Sequence, residues 1–452
     1  MTCSLFLCAA SALPVLFPVQ QHTDIFSNSL GADMTAYLCG LLVACIPLSA
    51  LSGSGGPDTT RLGDLVRESL ANSPEIERVR AQMDVMGAKI ASEASLPPPE
   101  LTFMREGMPQ FRYSDAMFSR VEIMQMVPFP GKLSTRREIA EIGADHAHHD
   151  HMEKEFEVLY RLKSAYAEVW YLQHAIGLAR RTGDLLRQAL AVVSVRYRAG
   201  SAGEEEVLKA SLESARNDNL LISLRQRELS AKSMIMAILD RQDPDTIGIA
   251  EMPDSLALDV SLDTLTARAM EYRPMLLHDS LVVDEQRALL TQARQEYLPD
   301  LRIGVQYMTA PLTGFNGWTV TAGITLPFAP WTLGARAGRI DESEAGISSA
   351  AASLAASRSM VRSEIRQEYS RAVSDREQAG AYRSRILPRA EGALRAALAA
   401  YGSGKGDLLM VLDSCRTLRD LSMEDLMIRM DFARSLAGLE KEIGVRDITD
   451  LR

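Results

Sequence analysis

Between residues 132 and 198, and again between 334 and 400, apolar positions return every three or four residues, and Pro388 is the only proline in either stretch. In the first stretch Val158, Leu159, Leu162, Ala165, Tyr166, Val169, Leu172, Ile176 and Ala179 fall on a, d and e positions of a heptad. In the second Ile365, Tyr369, Ala372, Ala379, Ile386, Ala390, Ala393 and Ala397 carry the stripe. Both stretches predict single helices of about 100 Å at 1.5 Å per residue. The stripe is wider than a two-stranded seam and rich in alanine, so each helix can touch neighbours on two sides, as in a wall of helices around a hollow cylinder. A long two-helix coiled coil is the alternative.

A second pattern has period two. Leu301, Ile303, Val305 and Tyr307 alternate with Arg302, Gly304, Gln306 and Met308, and Trp318, Val320, Ala322, Ile324 and Leu326 alternate with polar or small residues. Val121 and Ile123 repeat the pattern more faintly between Arg120 and Glu122. Strands are expected at about 100–108, 118–127, 301–308 and 318–326. One apolar and one polar face suit a membrane β-barrel, in which closure pairs every backbone group, or the half-buried strands of a sandwich. Four strands are too few to close, so a barrel requires several chains to share one sheet.

The two patterns recur as a unit. Residue n set beside n+200 aligns Leu62 with Leu262, Leu65 with Leu265, Pro74 with Pro274, Ala88 with Ala288 and Pro99 with Pro299. The domains expected are a leader at 1–56, a first repeat at 58–257 with its long hairpin at 132–240, and a second at 258–445 with its hairpin at 334–442. Each hairpin turns at a Tyr- and Gly-bearing segment, Tyr197 to Gly203 and Tyr401 to Gly406. The fold class expected is mainly α with a small β part.

The formal net charge of −10 argues against nucleic acid, whose phosphates demand basic stripes, and makes cations the more natural cargo. Residues 34–45 form an apolar core of signal-peptide length, and Leu42-Val43-Ala44-Cys45 resembles a bacterial lipobox, which would make Cys45 a lipidated N-terminus. Cleavage after Ala50 is the alternative. Four of five cysteines lie in this leader, leaving Cys415 without a disulfide partner in the exported chain.

The Pro-step helices, Leu298-Pro299-Asp300-Leu301, the corner Val127-Pro128-Phe129-Pro130-Gly131-Lys132, and the Tyr-x-x-Gly turns followed by Val207-Leu208 and Val411-Leu412 together resemble the TolC-type outer-membrane efflux family over residues 58–445. The Phe-Pro-Gly-Lys corner with Thr135-Arg136-Arg137 is similar to the branch serving heavy-metal cation pumps. The resemblance implies a homotrimer in the bacterial outer membrane with a periplasmic extension. Four strands per chain would build a 12-stranded barrel, and the hairpins an α-barrel tunnel. It also implies a periplasmic adaptor and an inner-membrane pump as partners, no cofactor, and passive transport without catalytic residues. Heavy-metal cations are the favoured cargo; drugs or secreted polypeptides are the alternative, and a periplasmic adaptor or structural coiled coil the reading from another class.

In that family acidic rings just after the turns close the periplasmic end. Glu206 and Asp413 hold the matching places, and Met410 replaces a second acid. Gly200, Gly203, Gly404, Lys405 and Gly406 would form the tips that the adaptor grips. Glu442, far along the return helix, is expected to have little influence on the gate. Apart from the gate, Asp145, His146, His148, His149, Asp150 and His151 gather four of the seven histidines, with i,i+3 pairs that could meet a metal, although one helix cannot close a tetrahedral site and a polar exposed face is the alternative. Met104, Met108, Met117, Met124 and Met126 offer soft thioethers or ordinary packing near the first strands.

Overall fold

The computed structural model describes residues 59–107, 117–243, 247–252, 258–310 and 313–451. Everything below concerns the unit Gly56–Arg452. The leader, with Cys45, lies outside the described residues, as does Met108.

The first half runs β1 (Thr59–Thr60), α1 (Leu62–Asn72), α2 (Pro74–Glu93), β2 (Glu100–Glu106), β3 (Phe118–Val127), α3 (Lys132–Arg198) and α4 (Glu204–Leu239). The second runs β4 (Ile249–Ala250), α5 (Leu262–Tyr272), α6 (Pro274–Gln295), β5 (Leu301–Ala310), β6 (Phe315–Ile324), α7 (Pro330–Ala381), α8 (Leu387–Gly402) and α9 (Leu408–Ile443). The chain is therefore mainly helical with a small sheet part. The Pro steps have one cause. Pro74 and Pro274 stand at first helical positions, where a missing N–H costs nothing, and each holds the preceding residue extended. Ser73 has φ −64° and ψ 121°, and Arg273 has −65° and 122°.

All nine stripe positions named for the first rod are buried, because α3 packs against α2, α4, α6 and α9 together. Its core continues into α1 and α4 through Leu65, Leu224 and Ile235. Side chains of α3 also hold a parallel pair, β1 with β4, that two-residue strands give no pattern to foresee. Tyr166 Oη donates to the Thr60 carbonyl at 2.7 Å and accepts from the Glu251 N–H at 2.8 Å, while Gln173 Oε1 accepts from the Ala250 N–H at 2.9 Å.

The second rod departs from the expected single helix. Residues Tyr382–Ile386 form a π turn between α7 and α8, with the Leu387 N–H donating to the Tyr382 carbonyl. Pro388 explains it. Its ring excludes the carbonyl of Ser384 from an α-helical position and it has no N–H to offer, and a wider turn accommodates both. Ile365, Ala372, Ala390 and Ala397 are buried as expected, whereas Ala393 is exposed and Leu394 is buried in its place.

β2, β3, β5 and β6 form one antiparallel sheet in that order. The register lays Leu101, Ile123, Val305 and Val320 in one row and Phe103, Val121, Tyr307 and Trp318 in the next, all on one face. Thr102, Glu122, Gln306 and Thr319 make a row on the other. Leu101 (70%), Trp318 (74%) and Val320 (72%) are among its most exposed apolar side chains. The strands differ slightly from their expected limits, and β6 begins at Phe315 because Gly314, at φ +67°, already completes the turn.

Below the sheet the two Pro-bearing corners interlock. Lys132 Nζ donates to the Leu298 carbonyl at 2.8 Å and to Asp300 Oδ1 at 2.7 Å, and the Phe129 N–H donates to the same oxygen at 2.9 Å. Gln295 Nε2 adds a bond to Thr135 Oγ1 at 2.9 Å. The motif residues that carried the resemblance thus fasten one half of the chain to the other.

Candidate functional site

Both hairpins turn by the same backbone device. Gly200 and Gly404 each have φ +73°, a left-handed conformation open to glycine without penalty. The Ser201 N–H reaches the Arg196 carbonyl and the Gly200 N–H that of Tyr197, both at 2.9 Å. Lys405 to Ala400 (3.0 Å) and Gly404 to Tyr401 (3.1 Å) repeat the pair, which is a Schellman cap at each tip. The starts of the return helices differ. Gly203 caps α4 without a side chain, whereas Asp407 caps α9 by accepting from the Leu409 N–H at 3.2 Å. Gly406 has its own constraint, since a Cβ there would lie 2.9 Å from the backbone of Ala400 and Tyr401. Gly200, Gly203, Gly404 and Lys405 are exposed and Gly406 is half-buried.

The tips share a core of Leu186 and Val193 from α3, Ala210 from α4, Leu394 and Ala397 from α8, and Leu408, Val411 and Leu412 from α9. Arg196 stacks 4.7 Å over the Tyr401 ring, a cation–π contact between hairpins. Val207 and Leu412, the neighbours of Glu206 and Asp413, pack at this same cluster, so both acids stand at one end of the bundle. Glu206 is half-buried, Asp413 exposed, and Met410 59% exposed. Cys415 is buried here, and burial pushes its thiol pKa up, so it is an inert core residue.

The histidine cluster gains a member from another helix. His278 of α6 lies against His146 with ring centroids 4.7 Å apart, and its Nε2 is 3.6 Å from Asp150 Oδ1. His148 and His149 meet edge to face at 5.6 Å, and His151 Nδ1 is 3.8 Å from Glu155. Burial, then the neighbouring His148, lowers the His149 pKa against the opposite pull of Asp145. Among the described residues no group of three or more His, Cys, Asp or Glu side chains is placed to hold a metal ion.

Far from the tips, Glu442 takes part in a buried ion cluster. It is 6% exposed and pairs with Arg273, itself 3% exposed, which also reaches Glu364 at 3.3 Å and Glu153 at 3.8 Å. Burial, with Glu364 hydrogen-bonded beside it, pushes the Glu442 pKa up to about 7 against Arg273 and Lys441. The sequence hides this site because its four residues come from α3, α7, α9 and the step before α6. An arginine before Pro274 was the one visible signal.

No helix among the described residues is long and apolar enough to cross a membrane. Among curated proteins, none matches the sequence. The fold has clear counterparts among solved structures. The CmeC outer membrane channel of Campylobacter jejuni matches with a TM-score of 0.73 at 14% identity, covering 85% of each chain. The outer membrane protein VceC of Vibrio cholerae gives 0.72 at 15%, covering 85% of this chain and 96% of that one. The MtrE outer membrane channel of Neisseria gonorrhoeae, in its open state, gives 0.71 at 16%, covering 86% and 90%. At such identities these likenesses establish the fold alone. The sequence itself matches the model of the outer membrane efflux protein family twice, over residues 65–240 and 265–445. With both hairpins and all four strands of the sheet inside those two matches, the chain belongs to the outer membrane efflux protein family, a family of channels rather than enzymes.

Proposed function

We propose that the protein is the outer-membrane exit duct of a tripartite efflux system, through which cargo supplied by an inner-membrane pump and a periplasmic adaptor leaves passively, and that heavy-metal cations are that cargo. The observation that carries the duct is the sheet. Two rows of apolar and aromatic side chains, exposed except for half-buried Tyr307, run across all four strands on one face, a polar row runs across the other, and β2 and β6 are edges with no neighbouring strand among the described residues. An apolar sheet with open edges is a liability unless further copies close it, and three copies give a 12-stranded barrel with a lipid-facing exterior. Glu206 and Asp413 then repeat three times at the far end of the hairpins, with Met410 beside them. Like charges near one axis attract cations, repel one another, and part when the adaptor engages Gly200, Gly203, Gly404, Lys405 and Gly406. Cys45 would anchor the N-terminus through lipid. The cation reading draws on the acidic gate and on the Phe-Pro-Gly-Lys corner.

Deletion of the gene tests the cargo. Sensitivity to zinc, cadmium or copper salts is expected, and sensitivity to drugs with unchanged metal tolerance would move the assignment to the other cargo class. The duct itself is tested by the trimer in mild detergent and in planar bilayers. Asp413→Asn with Glu206→Gln should reduce cation selectivity and weaken block by divalent ions, since charges within about 8 Å are only partly screened at physiological salt. A double variant indistinguishable from the parent would place the constriction elsewhere.

A further inference from the structure

α4 carries two apolar stripes. In the first, Ala210, Leu224, Ala231 and Ile238, with Asn217 among them, recur at every seventh residue and are buried, because α3 covers that face. In the second, Leu208, Ala215, Ile222 and Leu229 recur at the same interval two residues earlier, about 160° around the helix. This second stripe is bare, with Leu208 62%, Ile222 61% and Leu229 49% exposed. α8 repeats the arrangement with smaller residues. Ala390, Leu394 and Ala397 are buried, while Gly392, Ala396 and Ala399, two places further on, lie on the opposite side; Ala396 and Ala399 are exposed and Gly392 half-buried. α4 packs chiefly on α3 and α8 on α9, with α3 and α9 packed on each other, so α4 and α8 are the outer members of one row of helices. The two outer helices also differ in charge. The first turns of α4 carry Glu204, Glu205, Glu206, Glu213 and Asp218 against Lys209 and Arg216, whereas the π turn and α8 carry Arg383, Arg385, Arg389 and Arg395 against Glu391. Those four arginines are exposed and make no ion pair among the described residues.

We propose that the bare face of α4 docks, antiparallel, on the bare face of α8 in a second copy of this chain. The inference rests on the duct reading and names the surfaces through which its copies meet. Leucine and isoleucine knobs of α4 fit the space that Gly392, Ala396 and Ala399 leave open, so the two backbones approach closely. The acidic balance of α4 and the basic balance of α8 favour this pairing and disfavour α4 on α4 or α8 on α8. Two different surfaces meet, so the contact is head to tail and ends only by closing into a ring. Rotation about an axis along the rods leaves every residue at its own height, and both turns stand at one end of the bundle. Counting from the turns therefore sets the register. Leu208 lies four residues into α4 and Ala399 three residues before the end of α8, each roughly 5 Å from its turn, so these two side chains face each other.

The test is cysteine cross-linking of the full-length protein in mild detergent. Leu208→Cys with Ala399→Cys, oxidised by copper phenanthroline, should give a covalent ladder ending at the trimer on a denaturing gel without reductant. Each single variant should run as one chain, which also controls for the native cysteines. Leu208→Cys with Ser359→Cys, high on the exposed face of α7, should not link. Light scattering of the same samples before oxidation reports the assembly itself. An assembled trimer whose Leu208/Ala399 pair stays unlinked would overturn the proposal and leave the duct standing, whereas a monomer would overturn both. A second measurement needs no cysteine. Arg389→Glu with Arg395→Glu should raise the concentration at which the trimer half-dissociates at least tenfold, and adding Glu204→Arg with Asp218→Arg should recover most of that loss. Dissociation equal to the parent's in the first variant, or no recovery in the second, would show that these helix edges do not meet.

Discussion

The two long rods carry the same tips but live in different surroundings. α3 buries side chains along nearly its whole length, from Thr135 to Val193, whereas the buried positions of α7 are Ala350, Val361, Ile365 and Ala372. The first rod is enclosed by its own chain. The second leaves most of its surface bare, which in the proposed trimer is where a neighbouring copy would lie. The corners differ in the same spirit. Ser73 and Arg273 precede equivalent prolines with nearly identical backbone angles, yet the Ser73 hydroxyl has no hydrogen-bond partner and the Arg273 guanidinium gathers three glutamates. Duplication kept the backbone devices, which are steric and local, and released the side chains to take up half-specific work.

Exchanging the corners breaks that comparison most severely. Arg273→Ser should destabilise the protein by roughly 3–5 kcal/mol, because it strands buried Glu442 beside Glu364. Ser73→Ala should stay within about 0.5 kcal/mol. Thermal unfolding in detergent separates them, and similar losses would mean that the two corners do equal work.

A smaller effect is expected with pH. The Glu442 pKa rises from 4.5 to about 7 on folding. In that interval the folded chain holds a proton that the unfolded chain has released, so this group's stabilisation is complete below 4.5 and is lost as pH rises through 7. Glu442→Gln should remove that part of the slope, roughly 3 kcal/mol at most. An unchanged pH profile would show that Glu442 is ionised throughout.

At the tips, Gly406→Ala should cost about 1–3 kcal/mol through overpacking against Ala400, whereas the first hairpin already carries Ala202 at the corresponding place beyond its Schellman glycine. Equal thermal midpoints for variant and parent would show that the second turn yields. The mildest change is Pro388→Ala. Restoring the N–H and removing the ring should let the π turn relax and slow amide exchange over Tyr382–Ile386. Unaltered exchange would assign the bulge to packing instead.

Much of this was legible because it is periodic. The α3 stripe, the alternation in β5 and β6, and the Pro and Gly punctuation are repeated local signals, and duplication showed each of them twice. What stayed hidden was long-range pairing of single residues. Nothing in the spacing of His146 and Asp150 points to His278, and nothing near Glu442 points to Arg273. The π turn was half visible, since Pro388 marked the place without saying whether the helix would kink, stop or widen.

That wider turn has a geometric consequence. Ala372 and Ala390 are five turns apart on an ideal helix, so on an uninterrupted rod they would share a face. One residue inserted at the π turn changes the phase of everything beyond it by about 100°. Above it the rod keeps company with Leu265, Phe432 and Leu436; below it Leu394 and Ala397 meet Leu186, Val193 and Leu412. A single proline thereby works as an indexing step, giving one continuous helix two azimuths and so two sets of neighbours.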